Sequence, residues 1–200
     1  MNTLIFEGIA TSGKSTLIQH LRSALDGKLK IRIAGEEETH IPIMNATAEH
    51  HVNFYIDLID KLTRGHPDLL IIDRFYLTQA FRAKTGLKQY KEVEHSLKPC
   101  NPVTIFLEVQ PSAIANRIHH ATLHRNPSWG DYIATKGKDR DKQAGYYIAQ
   151  QNSQIKLLKE STLPHKIFDT TEHHYEDITE EILEIIGHPA TKQGSNPPTL

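Results

Sequence analysis

Residues 8 to 16 read Gly-Ile-Ala-Thr-Ser-Gly-Lys-Ser-Thr, a complete G-x-x-x-x-G-K-[S/T] pattern. The chemistry of that spacing is the cradling of phosphates. Backbone N–H groups from Ile9 through Ala10, Thr11, Ser12 and Gly13 to Lys14 are expected to point at a polyphosphate. Lys14 reaches its outer phosphates as a point charge, while Ser15, with Thr16 beside it, opens a helix and offers a hydroxyl to Mg²⁺. Gly8 and Gly13 permit left-handed turns and a close backbone approach that a side chain would block. A chance glycine-rich turn would need no such flanks: the apolar run Leu4-Ile5-Phe6 before the loop suits a buried strand, and Leu17, Ile18, Leu21 and Leu25 after it are spaced as on a helix. The expected ligands are ATP and Mg²⁺.

A second constellation is Asp73-Arg74, directly after the apolar run Leu69-Leu70-Ile71-Ile72. Ligands gather at the carboxyl ends of strands in open α/β sheets, so Asp73 is expected in the same crevice as the loop. It either joins Ser15 in the Mg²⁺ shell or contacts a substrate hydroxyl, and Arg74 offers a planar fork to a phosphate or carboxylate. A surface acid-arginine pair capping a helix is the plainer alternative. The third is Glu36-Glu37-Glu38 after the second strand run. Such a triplet is often a solvated loop, but at a strand end one carboxylate can take the proton of an attacking hydroxyl; Glu36, nearest the strand, is the choice. In an extended segment Glu36 and Glu38 would face one way and Glu37 the other. The fourth is the basic stretch containing Arg117, Arg125, Asn126 to Gly130 and Lys136 to Lys142. It reads as a long polar loop, a mobile lid over about 117–145 whose Arg117 and Arg140 neutralise a transferring phosphoryl group, or as a merely solvated segment.

These residues need a frame. Strand-like runs at Leu4 to Phe6, Ile31 to Ala34, Leu69 to Ile72, Val103 to Leu107 and Lys166 to Phe168 alternate with helical patterns at about 15–26, 46–64, 74–84, 111–125, 142–160 and 175–187. Alternation of this kind implies right-handed crossovers and a parallel sheet, giving a three-layer α/β fold in one domain over 1–188. Residues 189–200, rich in proline and without periodicity, read as a disordered tail. The near-neutral balance of 23 Lys+Arg and 24 Asp+Glu gives no indication of a nucleic-acid partner, and no apolar stretch approaches the roughly 18 residues of a membrane span. Met1-Asn2-Thr3 runs straight into the first strand, leaving no room for a secretory leader, so the chain is expected in the cytoplasm. Cys100 is the single cysteine, and the 13 histidines include side-by-side pairs that face different directions on a helix, so no dedicated metal cluster is expected. A homodimer is compatible with the sequence but not specified by it.

Phe6-Glu7-Gly8 leading into Gly13-Lys14-Ser15-Thr16, with Asp73-Arg74-Phe75 and Phe106-Leu107-Glu108-Val109 followed by Arg117-Ile118, resembles the thymidylate kinase and deoxynucleoside kinase superfamily of P-loop kinases. The resemblance spans most of residues 3–187. It implies a P-loop NTPase fold of the NMP-kinase type, with a five-stranded parallel sheet, helices on both faces and a lid. It also implies an ATP-dependent kinase acting on a small-molecule acceptor, a nucleoside or nucleoside monophosphate. Glu36 would be the family's base toward a 5′-hydroxyl, Asp73-Arg74 its acid-arginine pair, and Arg117 and Arg140 its lid arginines. Thymidylate kinases usually carry an acid at the position of Ala10, where deoxynucleoside kinases carry a small residue. The glutamine with which deoxynucleoside kinases read the base, after a phenylalanine, is replaced here by Tyr55 after Phe54, and the stretch His119 to Lys138 exceeds their short lid.

Overall fold

The computed structural model describes residues 1–188; the expected tail at 189–200 lies outside the described residues. Five strands, β1 (Asn2–Gly8), β2 (Ile31–Ala34), β3 (Leu69–Asp73), β4 (Pro102–Glu108) and β5 (His165–Asp169), form one sheet in the order β2-β3-β1-β4-β5 with every pairing parallel. Each strand is followed by helix. The crossovers are α1 (Lys14–Leu25), α2 (Glu36–Thr39) with α3 (Ala48–Thr63), α4 (Tyr76–Arg82) with α5 (Lys91–Leu97), and α6 (Pro111–His124), α7 (Pro127–Ala134) and α8 (Arg140–Glu160); α9 (Tyr175–Ile185) closes the domain.

Alternation along the strands divides the core into two layers. Leu4 and Phe6 of β1, with Leu69, Ile71, Ile105 and Leu107, pack against Leu17, Leu21 and Leu25 of α1 and Ile182 of α9. Ile5, Leu70, Ile72 and Phe106 face the other way, onto Tyr55, Leu58 and Leu62 of α3 and Leu158 of α8. Burial on both faces is what a parallel sheet needs, and it explains why β1 and β3 read as unbroken apolar runs. Register places the chemistry: Phe6 pairs with Asp73 and Gly8 with Leu107, so the glycine loop, the end of β3 and the end of β4 emerge side by side.

A third, smaller core lies beneath α6, α7 and α8, where Ile9, Val109, Ile114, Ile118, Ile133, Ala144 and Tyr147 cluster. This corrects the reading of the basic stretch as a loop. Asn126 caps α7, its side chain accepting from Trp129 N at 3.1 Å, Pro127 occupies the first turn, and Ile133 is buried beneath it. The cap and proline signals were present in the sequence but masked by surrounding charge. Helix α8 likewise begins at Arg140, two residues before the expected start, because Asp139 accepts from Lys142 N at 2.9 Å. Helix α5 has seven residues, too few for a clear period. Among the described residues no helix is long and apolar enough to cross a membrane.

Candidate functional site

The loop from Gly8 to Gly13 has the geometry its glycines are needed for. Gly8 sits at φ 139° and Gly13 at φ 95°. A Cβ on Gly8 would lie 2.6 Å from the Leu107 carbonyl oxygen, and one on Gly13 would overlap the Tyr175 ring. Both positions exclude a side chain by backbone conformation and by space. Ser15 and Thr16 are exposed in the first turn of α1, while Lys14 is buried, its Nζ donating to the carbonyls of Gly8 at 3.3 Å and Ile9 at 3.2 Å. Burial, assisted by the nearby Arg74 guanidinium, lowers the Lys14 pKa to about 8, against the opposing pull of Asp73 and Glu36.

Asp73 ends β3, near enough to Lys14 for the two charges to interact. Its Oδ1 is buried without a hydrogen-bond partner, and burial raises its pKa against the attraction of Lys14. An orphaned carboxylate oxygen beside the loop, with the Ser15 hydroxyl exposed at the start of α1, is a donor set that fits Mg²⁺; the loop that no Cβ can fill fits a polyphosphate. Arg74 follows in the left-handed region, φ 65°, and its side chain folds back into the cleft. Its Nε donates to Glu36 Oε1 at 2.9 Å, and Nη1 reaches Gly8 O and Thr78 Oγ1, each at 3.3 Å.

The acidic triplet is helical rather than extended, so its members diverge. Glu36 turns toward Arg74; Glu38 turns away to Arg32, with Nη2 at 2.8 Å from Oε1, and to Lys61. Burial alone would raise the Glu36 pKa, but Arg74 and Lys14 outweigh it and hold the carboxyl at about 2. With its side chain 38% exposed, Glu36 is an ionised carboxylate open to the cleft.

Behind the loop lies a residue the sequence marked only as part of a motif. Glu7 is buried on β1 and accepts from Phe75 N, Leu77 N and Thr78 Oγ1, each at 3.0 Å. It thus caps the first turn of α4 from another strand. Burial raises its pKa, opposed first by Arg74. Thr78, orienting its hydroxyl proton to Glu7, is left to accept from Arg74, so the acid supports the arginine through one intervening hydroxyl.

Lys14, Ser15, Thr16, Glu36 and Arg74 line one cleft of about 740 Å³ that runs from the loop to α6 and α7. Arg117 lines it from α6, donating to Thr11 O at 3.1 Å and to the Thr170 carbonyl at the end of β5. Arg140 does not line it: Nη2 of this exposed residue meets His119 at 3.0 Å. The structure therefore brings together Lys14, Ser15, Thr16, Glu36, Arg74 and Arg117 at the cleft, places Asp73 at the end of β3 beside the loop, and leaves Arg140 outside. Four further residues line the cleft, of which the sequence singled out only Arg125, within the basic stretch. Arg82 on α4 donates to Tyr132 Oη of α7 at 2.7 Å, Arg125 lies 4.4 Å over the Trp129 ring, His40 follows α2, and Gln150 is buried on α8. A position one helical turn after a site residue, such as His40 after Glu36, is the cue that could have found one of them.

The fold that carries this cleft recurs in solved structures. YorR protein from Bacillus subtilis, in complex with phosphorylated GDP, is 20% identical over 93% of this chain and 96% of that one, with a TM-score of 0.64. Shikimate kinase from Bacteroides thetaiotaomicron is 14% identical over 93% and 98%, with a TM-score of 0.58. The chain has an NMP-kinase-like α/β fold. No protein-family model and no curated protein matches its sequence. At these identities the likeness is one of fold, and function has to be argued from the cleft.

Proposed function

We propose that this chain is an ATP- and Mg²⁺-dependent kinase that transfers a phosphoryl group to a small-molecule hydroxyl or phosphate, with a nucleoside or nucleoside monophosphate as the acceptor class. The observation that carries the reading is Glu36: an ionised, solvent-reachable carboxylate, fixed by Arg74, in the same cleft as Lys14 and the glycine loop. A protein that only binds and slowly hydrolyses a nucleotide has no need for a second, acceptor-facing carboxylate.

In this reading the loop amides and Lys14 bind the triphosphate, and Ser15 and Asp73 would hold Mg²⁺. Bound there, the cation would offset negative charge on the transferring phosphoryl group. Glu36 orients the acceptor hydroxyl and receives its proton late, because so weak a base takes the proton only after bonding of the oxygen to phosphorus has made it strongly acidic. Arg117 adds positive charge from the lid side. Arg74 is committed to Glu36, Thr78 and the Gly8 carbonyl, which supports a role in orienting the base and favours a neutral hydroxyl acceptor over one whose phosphate would claim that fork. The kinase name of one fold relative and the nucleotide in the other's complex agree with the class.

The test is release of ADP from Mg-ATP against a panel of nucleosides, nucleoside monophosphates, sugars and aminoglycosides. Acceleration by a hydroxylated compound, lost in Lys14→Ala, supports the proposal. An ADP rate indifferent to every acceptor would refute it and leave a nucleotide-dependent switch.

A further inference from the structure

Beyond Glu36, the cleft wall carries a hydrogen-bond donor whose proton the surrounding network fixes. His40 is the C-cap of α2, its N–H donating to Glu36 O at 3.0 Å, and its ring is buried yet lines the cleft. Across from it, Gln79 of α4 is fully buried with Nε2 3.2 Å from His40 O and 3.0 Å from His40 Nδ1. A backbone carbonyl can only accept, so the amide group facing His40 must be the NH₂ end of Gln79. The same NH₂ then donates to Nδ1, which must be unprotonated. In a neutral ring the proton therefore sits on Nε2. Burial, then Arg74 and Arg82, keep the ring neutral by pulling its pKa to about 3, against the weaker opposing pull of Glu36. Among the described residues Nε2 has no protein partner, and it is not among the fully buried unpartnered atoms.

We propose that His40 is a specificity-determining residue whose Nε2–H donates to a second oxygen of the acceptor, close to the hydroxyl that Glu36 receives. This rests on the kinase reading above and deepens it. Glu36 and His40 are four residues apart across one helical turn, where Cβ atoms are about 5–6 Å apart. Two groups so placed read neighbouring oxygens of one molecule. The favoured acceptor is thus a polyol or sugar, free or within a nucleoside, rather than a molecule with a lone hydroxyl. A donor held in one tautomer by a buried amide cannot turn into an acceptor, so an analogue lacking the second oxygen leaves the N–H unpaired and is rejected. Gln79, which never meets the acceptor, is the positioning residue.

Two measurements on the full chain decide it. Long-range ¹H–¹⁵N correlation of the histidine rings, with His40 assigned by its loss in His40→Asn, is expected to show one proton on Nε2, unchanged from pH 5 to 8. Gln79→Glu, whose ionised carboxylate can only accept, is expected to place a proton on Nδ1. A wild-type ring protonated on Nδ1, or one that titrates across that range, overturns the assignment and leaves the kinase reading intact. The second measurement compares reactive members of the acceptor panel with deoxy analogues, thymidine with 3′-deoxythymidine for a nucleoside and glucose with its deoxy series for a sugar. Wild type is expected to disfavour one analogue at least tenfold in kcat/KM, and His40→Phe, which keeps a ring and has no N–H, to lose that preference. Equal discrimination by both proteins overturns the role of His40. If no compound accelerates ADP formation, the kinase reading falls and this assignment with it.

Discussion

Replacing Lys14 with Met is expected to stabilise the fold while removing its activity. Lys14 is 5% exposed and its ammonium is held by two carbonyls at 3.2 and 3.3 Å, with no carboxylate in direct contact among the described residues. A fall in its pKa from 10.5 to about 8, at about 1.4 kcal/mol per pH unit, corresponds to a penalty of about 3 kcal/mol for holding the charge in the folded state. Methionine fills similar space without that penalty but forfeits the two hydrogen bonds, worth about 1 kcal/mol or less each, so the net gain is about 1–2 kcal/mol. Urea unfolding at pH 7 reads this directly, and a melting scan should show a rise of roughly 2–8 °C. The pH dependence identifies the cause. Below pH 8 folded and unfolded chains both carry the proton and the whole penalty stands. Between pH 8 and 10.5 the unfolded chain holds more protons, wild-type stability rises, and the advantage of Lys14→Met shrinks. Turnover, by contrast, falls on the order of a hundredfold or more, since the point charge that meets the outer phosphates is gone. A variant less stable than wild type at pH 7, or one whose advantage persists at pH 10, would refute the charge-burial account.

Glu36→Gln keeps the size and removes the proton acceptor, so kcat is expected to drop by about two orders of magnitude with the KM for ATP little changed. The same variant loses about 1–2 kcal/mol at pH 7, a figure discounted for solvent because the side chain is 38% exposed; since its folded pKa is depressed to about 2, that gap should close as pH falls from 4.5 toward 2. Asp73→Asn is expected to raise the Mg²⁺ concentration for half-maximal rate about tenfold without lowering stability, because burial already disfavours the ionised acid; unchanged Mg²⁺ dependence would take Asp73 out of the metal shell. Gly13→Ala should cost roughly 1–3 kcal/mol in urea unfolding, and adding Tyr175→Ala should restore only the steric part, because φ 95° remains strained for alanine; complete rescue would assign the whole cost to Tyr175.

The parts of the site visible in sequence were those whose function is fixed by neighbours along the chain. The glycine loop needs a strand before it and a helix after it, and apolar periodicity displays both. Asp73 and Glu36 were visible because strand ends are, and parallel register makes strand ends converge. His40, Gln79 and Arg82 were not, because their meeting depends on how α2 and α4 cross, and 39 residues separate His40 from Gln79. Glu7 was hidden for a related reason. An acid inside an apolar strand is satisfied here by two backbone amides and the Thr78 hydroxyl at the start of α4, 68 to 71 residues later in the chain. The lid failed differently: its charges suggested a solvated loop, whereas helix caps and a few apolar residues, among them Ile133, decide that it folds.

Arg74 shows where local preference and site geometry conflict. Arginine is a good helix former, and the apolar pattern after β3 led to a helix starting at 74; α4 instead begins at Tyr76, with Arg74 at φ 65°. A non-glycine residue in that region costs about 1 kcal/mol or more and persists only where its surroundings over-determine it. Here they do. Arg74 N donates to Phe6 O at 2.9 Å, extending the β1–β3 ladder one residue past the strand, while Glu7 binds the amides of Phe75 and Leu77 and sets the start of the helix just beyond. The turn returns the guanidinium to Glu36 and the Gly8 carbonyl. With helical φ at residue 74, the side chain would leave along α4, Glu36 would lose the partner that holds it ionised, and the loop and the acceptor carboxylate would no longer be tied to one another. The strained residue is thus the physical link between the two halves of the cleft, and the sequence rule failed where that link was made.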